Sequence, residues 1–138
     1  MVKNILLDKE GISLTADVDT GVHTLRLGRG PNVINPGMVH LLTQAISKIE
    51  AAPHPKALVV TGTGKFFSNG LDLKFLQSSN DDEKAKMIVS FWEFLARLLV
   101  LDCRTVAAIN GHVSEMRETH IVVDFLDLDP VSFFPKPD

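Results

Sequence analysis

The sequence predicts an α/β fold with a mostly parallel sheet and an antiparallel hairpin at its edge, and three observations carry that prediction. Residues 12–18 and 22–27 each alternate apolar and polar with period two, and Asp19-Thr20-Gly21 between them reads as a turn. Residues 56–61 and 105–109 are short aliphatic and β-branched runs of the kind buried on both faces of a sheet. Two long helical patterns separate these pieces, giving the order β-β-α-β-α-β. Strands joined through crossover helices run parallel.

The elements follow in order. Asn35 suits a helix N-cap with Pro36 in the first turn. Met38, Leu41, Leu42, Ala45, Ile46 and Ile49 then recur at helical spacing until Pro53 and Pro55 end the pattern, so one face of this helix is core. Asp81 or Asp82 opens a second long helix with a broad stripe of Ile88, Phe91, Trp92, Leu95, Leu98 and Leu99, widened by Met87, Phe94 and Leu101. Glu93 and Arg97 form an i,i+4 pair on it. The last strand ends on Asn110-Gly111-His112.

Composition narrows the function. A chain of 138 residues, 45% hydrophobic and 22% charged, is one globular domain's worth. A net charge of −3, with 14 Lys and Arg spread along the chain, excludes the clustered basic surface that a nucleic acid requires. The single cysteine, Cys103, has no intrachain partner and reads as a structural thiol in a reducing compartment. Asp8-Lys9-Glu10 interrupts the N-terminal apolar residues too early for a signal peptide, and no run approaches the about 20 apolar residues of a membrane span. The last three residues, Lys136-Pro137-Asp138, are not a peroxisomal address. By its own signals the chain is expected in the cytoplasm, with no membrane partner and no metal.

Residues 62–76, GTGKFFSNGLDLKFL, form a strand-to-helix crossing where backbone N–H groups can face a ligand. A Walker A loop fails here, since Val59 stands where its first glycine belongs and Phe66 follows Lys65. A dinucleotide fingerprint starting at Gly62 fails at Phe67, where a third glycine is needed. What remains is a loop whose N–H groups around Asn69 and Gly70 could donate to a carbonyl or oxyanion. An ordinary turn would account for Ser-Asn-Gly by itself.

Phe66-Phe67-Ser68-Asn69-Gly70-Leu71-Asp72-Leu73 resembles the first oxyanion-hole signature of the crotonase, or enoyl-CoA hydratase/isomerase, superfamily, and is most similar to the Δ3,Δ2-enoyl-CoA isomerase branch. Two more stretches agree in order: residues 27–35, similar to a loop contacting the CoA adenine, and residues 106–112, similar to the strand before the second oxyanion donor. The resemblance implies a crotonase-like ββα spiral over residues 1–112 that binds an acyl-CoA thioester, with CoA as part of the substrate and no separate cofactor. It implies the Asn69 N–H as first oxyanion donor and Arg29, Asn32, Val33, Ser68, Gly70, Leu71 and Asp72 as substrate-binding positions, with Asp72 ordering the helix start. Gly111 and His112 mark the second-donor region. For the family, the location is peroxisomal or mitochondrial and the assembly trimeric.

The resemblance ends after His112. Residues 113–138 hold no glycine, so the glycine pair of the second donor and the catalytic carboxylates have no counterpart. Glu115, Glu118, His120 and Asp124 are titratable but match no family position, and His112, His120 and Asp124 fit no zinc spacing. The expectation is therefore a truncated spiral with a divergent tail from a variant transcript or a shifted frame. Three readings stay open: an enoyl-CoA isomerase or hydratase that regains chemistry with full-length subunits, a non-catalytic acyl-CoA binder, or a poorly folded fragment prone to self-association.

Overall fold

The computed structural model describes residues 3–113. The elements are β1 (Lys3–Lys9), β2 (Ile12–Asp17), β3 (Val22–Leu27), α1 (Pro36–Ala51), β4 (Ala57–Gly62), β5 (Phe66–Ser68), α2 (Leu73–Ser78), α3 (Asp81–Leu99), β6 (Arg104–Ala108) and β7 (His112–Val113). Five strands form one sheet in the order β1-β2-β3-β4-β6, and β5 pairs with β7 in a small second sheet. The β2–β3 hairpin is antiparallel, whereas β3–β4 and β4–β6 are parallel. The α/β class follows the sequence reading, and with β1–β2 also antiparallel the large sheet is mixed, two pairings antiparallel and two parallel.

One face of the large sheet is core. Ile12 pairs with Leu27 and Leu14 with Leu25, Leu25 pairs with Val60, and all five are buried. α1 covers this face because its side-chain cap and apolar spacing agree: the Asn35 side chain accepts from the Met38 N–H, Pro36 occupies the first turn, and Met38, Leu41, Leu42, Ala45, Ile46 and Ile49 are all buried. The register leaves Ile5, Thr15, Thr24, Val59 and Val106 in one row on the opposite face, where they are half-buried or exposed. Between β3, β4, α1 and α3 lies an apolar cavity of about 30 Å³, with Asn32 and Ser68 at its polar rim. A water needs two or more free polar partners, and both rim side chains are fully engaged, so this cavity stays dry.

Three sequence expectations change. β1 is an additional strand: it is an outer strand, mostly exposed, and a bulge between Ile5 and Leu7 breaks the alternation that would have marked it. On α3 the core-facing set is Met87, Phe91, Phe94, Leu95 and Leu98, while Ile88, Trp92 and Leu99 are 40%, 59% and 45% exposed. The broad stripe exceeds what one sheet face and α1 can cover. α3 does open at Asp81, as expected, and Asn80 caps it in a reciprocal capping box with Glu83. Arg97 does not pair with Glu93. It reaches across to α1, donating to Glu50 and, at 2.8 Å, to Ser47 Oγ, and this guanidinium holds the Glu50 carboxyl below its ordinary range.

Candidate active site

The crossing from β4 to α2 is built by side chains that direct their polar atoms at the loop itself. Asn32 is 1% exposed. Its Nδ2 donates to the carbonyls of Leu27 (3.0 Å), Phe66 (3.1 Å) and Phe67 (3.0 Å), and its Oδ1 accepts from the Arg29 N–H at 2.7 Å. One buried amide thus ties the end of β3, the following loop and β5 together. Its φ of 50° lies in the left-handed region, which asparagine tolerates better than most residues. Ser68, also buried, donates from Oγ to the Asn32 carbonyl at 3.0 Å and accepts from the Gly70 N–H at 3.1 Å.

The next residues form a short parallel bridge. The Ile34 N–H donates to the Gly70 carbonyl at 2.7 Å and the Asp72 N–H donates to the Ile34 carbonyl at 2.9 Å. In such a bridge the residue between, Leu71, turns its own N–H away from the partner strand. Among the described residues the Leu71 N–H has no hydrogen-bond partner, whereas its neighbours on both sides do. Gly70, at φ 76°, supplies the backbone reversal that aims it, a conformation that strains any residue with a Cβ. Asp72 then caps α2: Oδ1 accepts from the Phe75 N–H at 3.2 Å, and Oδ2 accepts from Asn35 Nδ2 at 3.0 Å. Because Asn35 is the cap of α1, the two helix starts are bolted together at this point. The Asn35 hydrogen bond, aided by the backbone N–H groups of Phe75 and Lys74, holds the Asp72 carboxyl below its ordinary range.

These contacts correct the residue roles. The Asn69 N–H donates to the Pro31 carbonyl at 2.8 Å and is not available to a ligand; the free donor is one turn of the loop further on, at Leu71. The polar atoms of the Asn32 and Ser68 side chains are bonded to the backbone of the loop itself. Arg29 directs its guanidinium to the Glu10 carbonyl (3.2 Å) and carboxylate (3.4 Å), and Val33 is half-buried. Asp72 does order the helix start as expected, with both oxygens occupied. In the Gly111-His112 region the His112 N–H donates to the Lys65 carbonyl at 2.8 Å, so it is not a free donor either. Gly111 is needed for close approach, since a Cβ there would sit 2.8 Å from the Lys65 oxygen. The adjoining Asn110 exchanges two hydrogen bonds with the Gly62 backbone, at 3.1 and 2.8 Å. Glu115, Glu118, His120 and Asp124 lie outside the described residues. The signal that could have found Leu71 is positional: it follows the left-handed glycine and precedes the capping aspartate.

The fold and this loop define an α/β domain that presents a backbone N–H at a glycine turn between strand and helix. A family model described as enoyl-CoA hydratase/isomerase matches residues 17–115, and the chain belongs to that family. It is 41% identical over 80 residues to the Enoyl-CoA delta isomerase 3 of Arabidopsis thaliana, covering 56% of this chain and 32% of the relative. It is 37% identical over 83 residues to a putative enoyl-CoA hydratase of Thermus thermophilus, covering 58% and 33%. Among solved structures, an enoyl-CoA hydratase from Bacillus anthracis superposes with a TM-score of 0.66 at 22% identity, covering 73% of this chain and 40% of that one. The chain thus spans about a third of the length of these curated relatives. Among the described residues no helix is long and apolar enough to cross a membrane, and no cluster of three or more His, Cys, Asp or Glu could hold a metal.

Proposed function

We propose that this chain binds acyl-CoA thioesters, with the Leu71 N–H donating to the thioester carbonyl as an oxyanion-hole donor in the chemistry of enoyl-CoA isomerases. The observation that supports this reading is the Leu71 N–H, left without a partner among the described residues between the bonded N–H groups of Gly70 and Asp72. A donor aimed at developing enolate charge is worth about 2.7–4 kcal/mol of barrier. The substrate is a 3-enoyl-CoA, the product its conjugated 2-enoyl isomer, and the setting the oxidation of unsaturated fatty acids in a peroxisome or mitochondrion. The likeness to a putative hydratase keeps water addition to a 2-enoyl-CoA as the second reading.

Binding is the stronger half of this proposal. Asp72 is the carboxylate nearest the donor in sequence, and with both oxygens committed it cannot serve as a base. Turnover requires a base and a second donor from beyond residues 3–113 or from a full-length relative, and no cofactor other than the CoA of the substrate. Titration calorimetry with an unreactive acyl-CoA analogue tests the donor. Leu71→Pro, which deletes the N–H, should abolish binding, and Leu71→Ala, which keeps it, should retain most. Equal affinity in both variants would remove Leu71 from the site. Conversion of 3-enoyl-CoA by the purified chain at the rate of a full-length relative would show that it supplies its own base.

A further inference from the structure

His23, near the start of β3, is 4% exposed, yet only one of its two ring nitrogens is engaged. Nδ1 lies 2.9 Å from the Gly21 carbonyl. A carbonyl oxygen only accepts, so Nδ1 carries the ring proton and Nε2 of the neutral imidazole is left as an acceptor. Among the described residues Nε2 has no hydrogen-bond partner, and no unpartnered side-chain nitrogen or oxygen there is fully enclosed, so Nε2 reaches open space.

That space is a cleft of about 650 Å³ between the C-terminal half of α1 and the first three strands, lined, among the described residues, by positions 4–55. The strand register shows how it arises. Asn4 pairs with Ala16 and Ala16 with His23, so the three stand in one row across β1, β2 and β3, on the same face as buried Leu14 and Leu25 two positions away. Ala16 carries only a methyl group, which leaves a notch between Asn4 and His23. α1 meets this notch with Ala51 and Ala52, which are also small.

The charges around the cleft oppose one another. Asp17 and Asp19 stand at the hairpin turn, Lys48 is exposed on α1, and His54 is held by Asp102 at 2.7 Å. Neither an anion nor a cation gains from that mixture, whereas a neutral hydrogen-bond donor matches the free acceptor on His23. We propose that this cleft is a second ligand site that takes a neutral apolar molecule by its hydroxyl group. The O–H donates to His23 Nε2, the apolar body lies over Leu6, Ala16 and Ala51, and Asn4 forms the facing wall. One buried polar atom in an otherwise apolar wall fixes the ligand's orientation. The site is remote from the Leu71 loop. Leu27, whose carbonyl Asn32 holds, is four residues further along β3, about 13 Å from His23.

Calorimetric titration of the whole chain with n-hexanol, hexanoate and hexylamine, with the ring-nitrogen resonances of His23 recorded alongside, tests this. The expected result is saturable binding of n-hexanol that shifts Nε2 as an accepted hydrogen bond does and leaves Nδ1 protonated, with both ions weaker by about tenfold, the worth of one hydrogen bond. Ala16→Leu, which fills the notch, and His23→Phe, which removes the acceptor, should each weaken n-hexanol by about the same factor. Leu71→Pro, as long as it stays folded, should not change it. An Nε2 resonance that n-hexanol leaves unmoved overturns the proposal, and so does an Nε2 already bonded to another part of the free chain. Hexanoate or hexylamine binding as tightly as n-hexanol overturns the neutral class. Binding that survives both Ala16→Leu and His23→Phe marks association elsewhere, and loss in folded Leu71→Pro places n-hexanol in the acyl-CoA loop; both count against the cleft. If Ala16→Leu does not fold, His23→Phe and the resonances of the unaltered chain decide.

Discussion

Replacing Asn32 with alanine should cost more than any other single truncation in the loop. The change takes a partner from the carbonyls of Leu27, Phe66 and Phe67 and from the Arg29 N–H, in a position that is 1% exposed, although the Leu27 carbonyl keeps its bonds from the Thr63 N–H and hydroxyl. Each buried group left unpaired costs about 1–3 kcal/mol. The three carbonyls share two amide hydrogens, and they regain some water once the side chain is gone, so the sum falls well short of four full penalties. About 3–5 kcal/mol is expected, which includes the strain of holding alanine at a φ of 50°. Against a domain stability of about 5–15 kcal/mol this is a large fraction. Urea unfolding followed by circular dichroism and Trp92 fluorescence measures it. Asn32→Gly separates the two causes, because glycine accepts the left-handed backbone and loses only the hydrogen bonds. Asn32→Asp should be no better than alanine, since a carboxylate would face three carbonyl oxygens. A midpoint for Asn32→Ala equivalent to less than about 0.5 kcal/mol of loss, inside the range of ordinary surface changes, would refute the clamp.

Lys56 offers a comparable test at the other end of α1. Its side chain is 1% exposed and its ammonium donates to the carbonyls of Ile49 (3.0 Å), Glu50 (3.2 Å) and Ala52 (3.0 Å), closing the helix C-terminus. Lys56→Met should destabilise by about 2–4 kcal/mol in the same urea assay, with no change in acyl-CoA affinity beyond the unfolded fraction. Asp102 bonds to His54 Nε2 at 2.7 Å and to Lys56 Nζ at 3.1 Å, and these partners, His54 first, hold its carboxyl below the ordinary aspartate range. A depressed carboxylate contributes stability above its unfolded pKa and loses it as pH falls through the folded value. Melting points should therefore drop below about pH 4, and less so in Asp102→Asn. Burial pushes the Cys103 thiol up, so alkylation at pH 8 should run slower than for a free thiol and reach the free rate in urea.

The parts of the fold legible in the sequence are those in which local pattern and burial agree. α1 is one: cap, proline and apolar spacing all describe the same 16 residues, and every predicted core position is buried. The hairpin of β2 and β3 and the parallel strands β4 and β6 are others. β1 stayed hidden because an exposed edge with a bulge has no period to detect. The face of α3 was misplaced for a different reason. A stripe wide enough for two neighbours does not reveal which neighbour is present, and only the positions of α1 and the sheet select Met87 and Phe94 over Ile88 and Trp92.

The loop shows a deeper limit on reading chemistry from side chains. Its motif residues Asn32, Ser68 and Asp72 look like ligand contacts because polar groups near a glycine usually are, yet each of them completes its hydrogen bonds inside the protein. What their arrangement leaves over is a backbone N–H, at a residue whose side chain is an ordinary leucine. A backbone donor has no letter in the sequence. It becomes visible only when the competing acceptors have been assigned, and that assignment moves the proposed role from Asn69, bonded to Pro31, to Leu71. Under the proposed function, the polar residues of the motif would act on binding through the shape of the loop rather than by touching the ligand. Asn32 and Ser68 fix the loop, Gly70 turns it, and Asp72 joined to Asn35 sets the angle at which α2 leaves. Loss of any one should move the Leu71 N–H, and a displacement of a fraction of an ångström at an oxyanion donor is enough to weaken it.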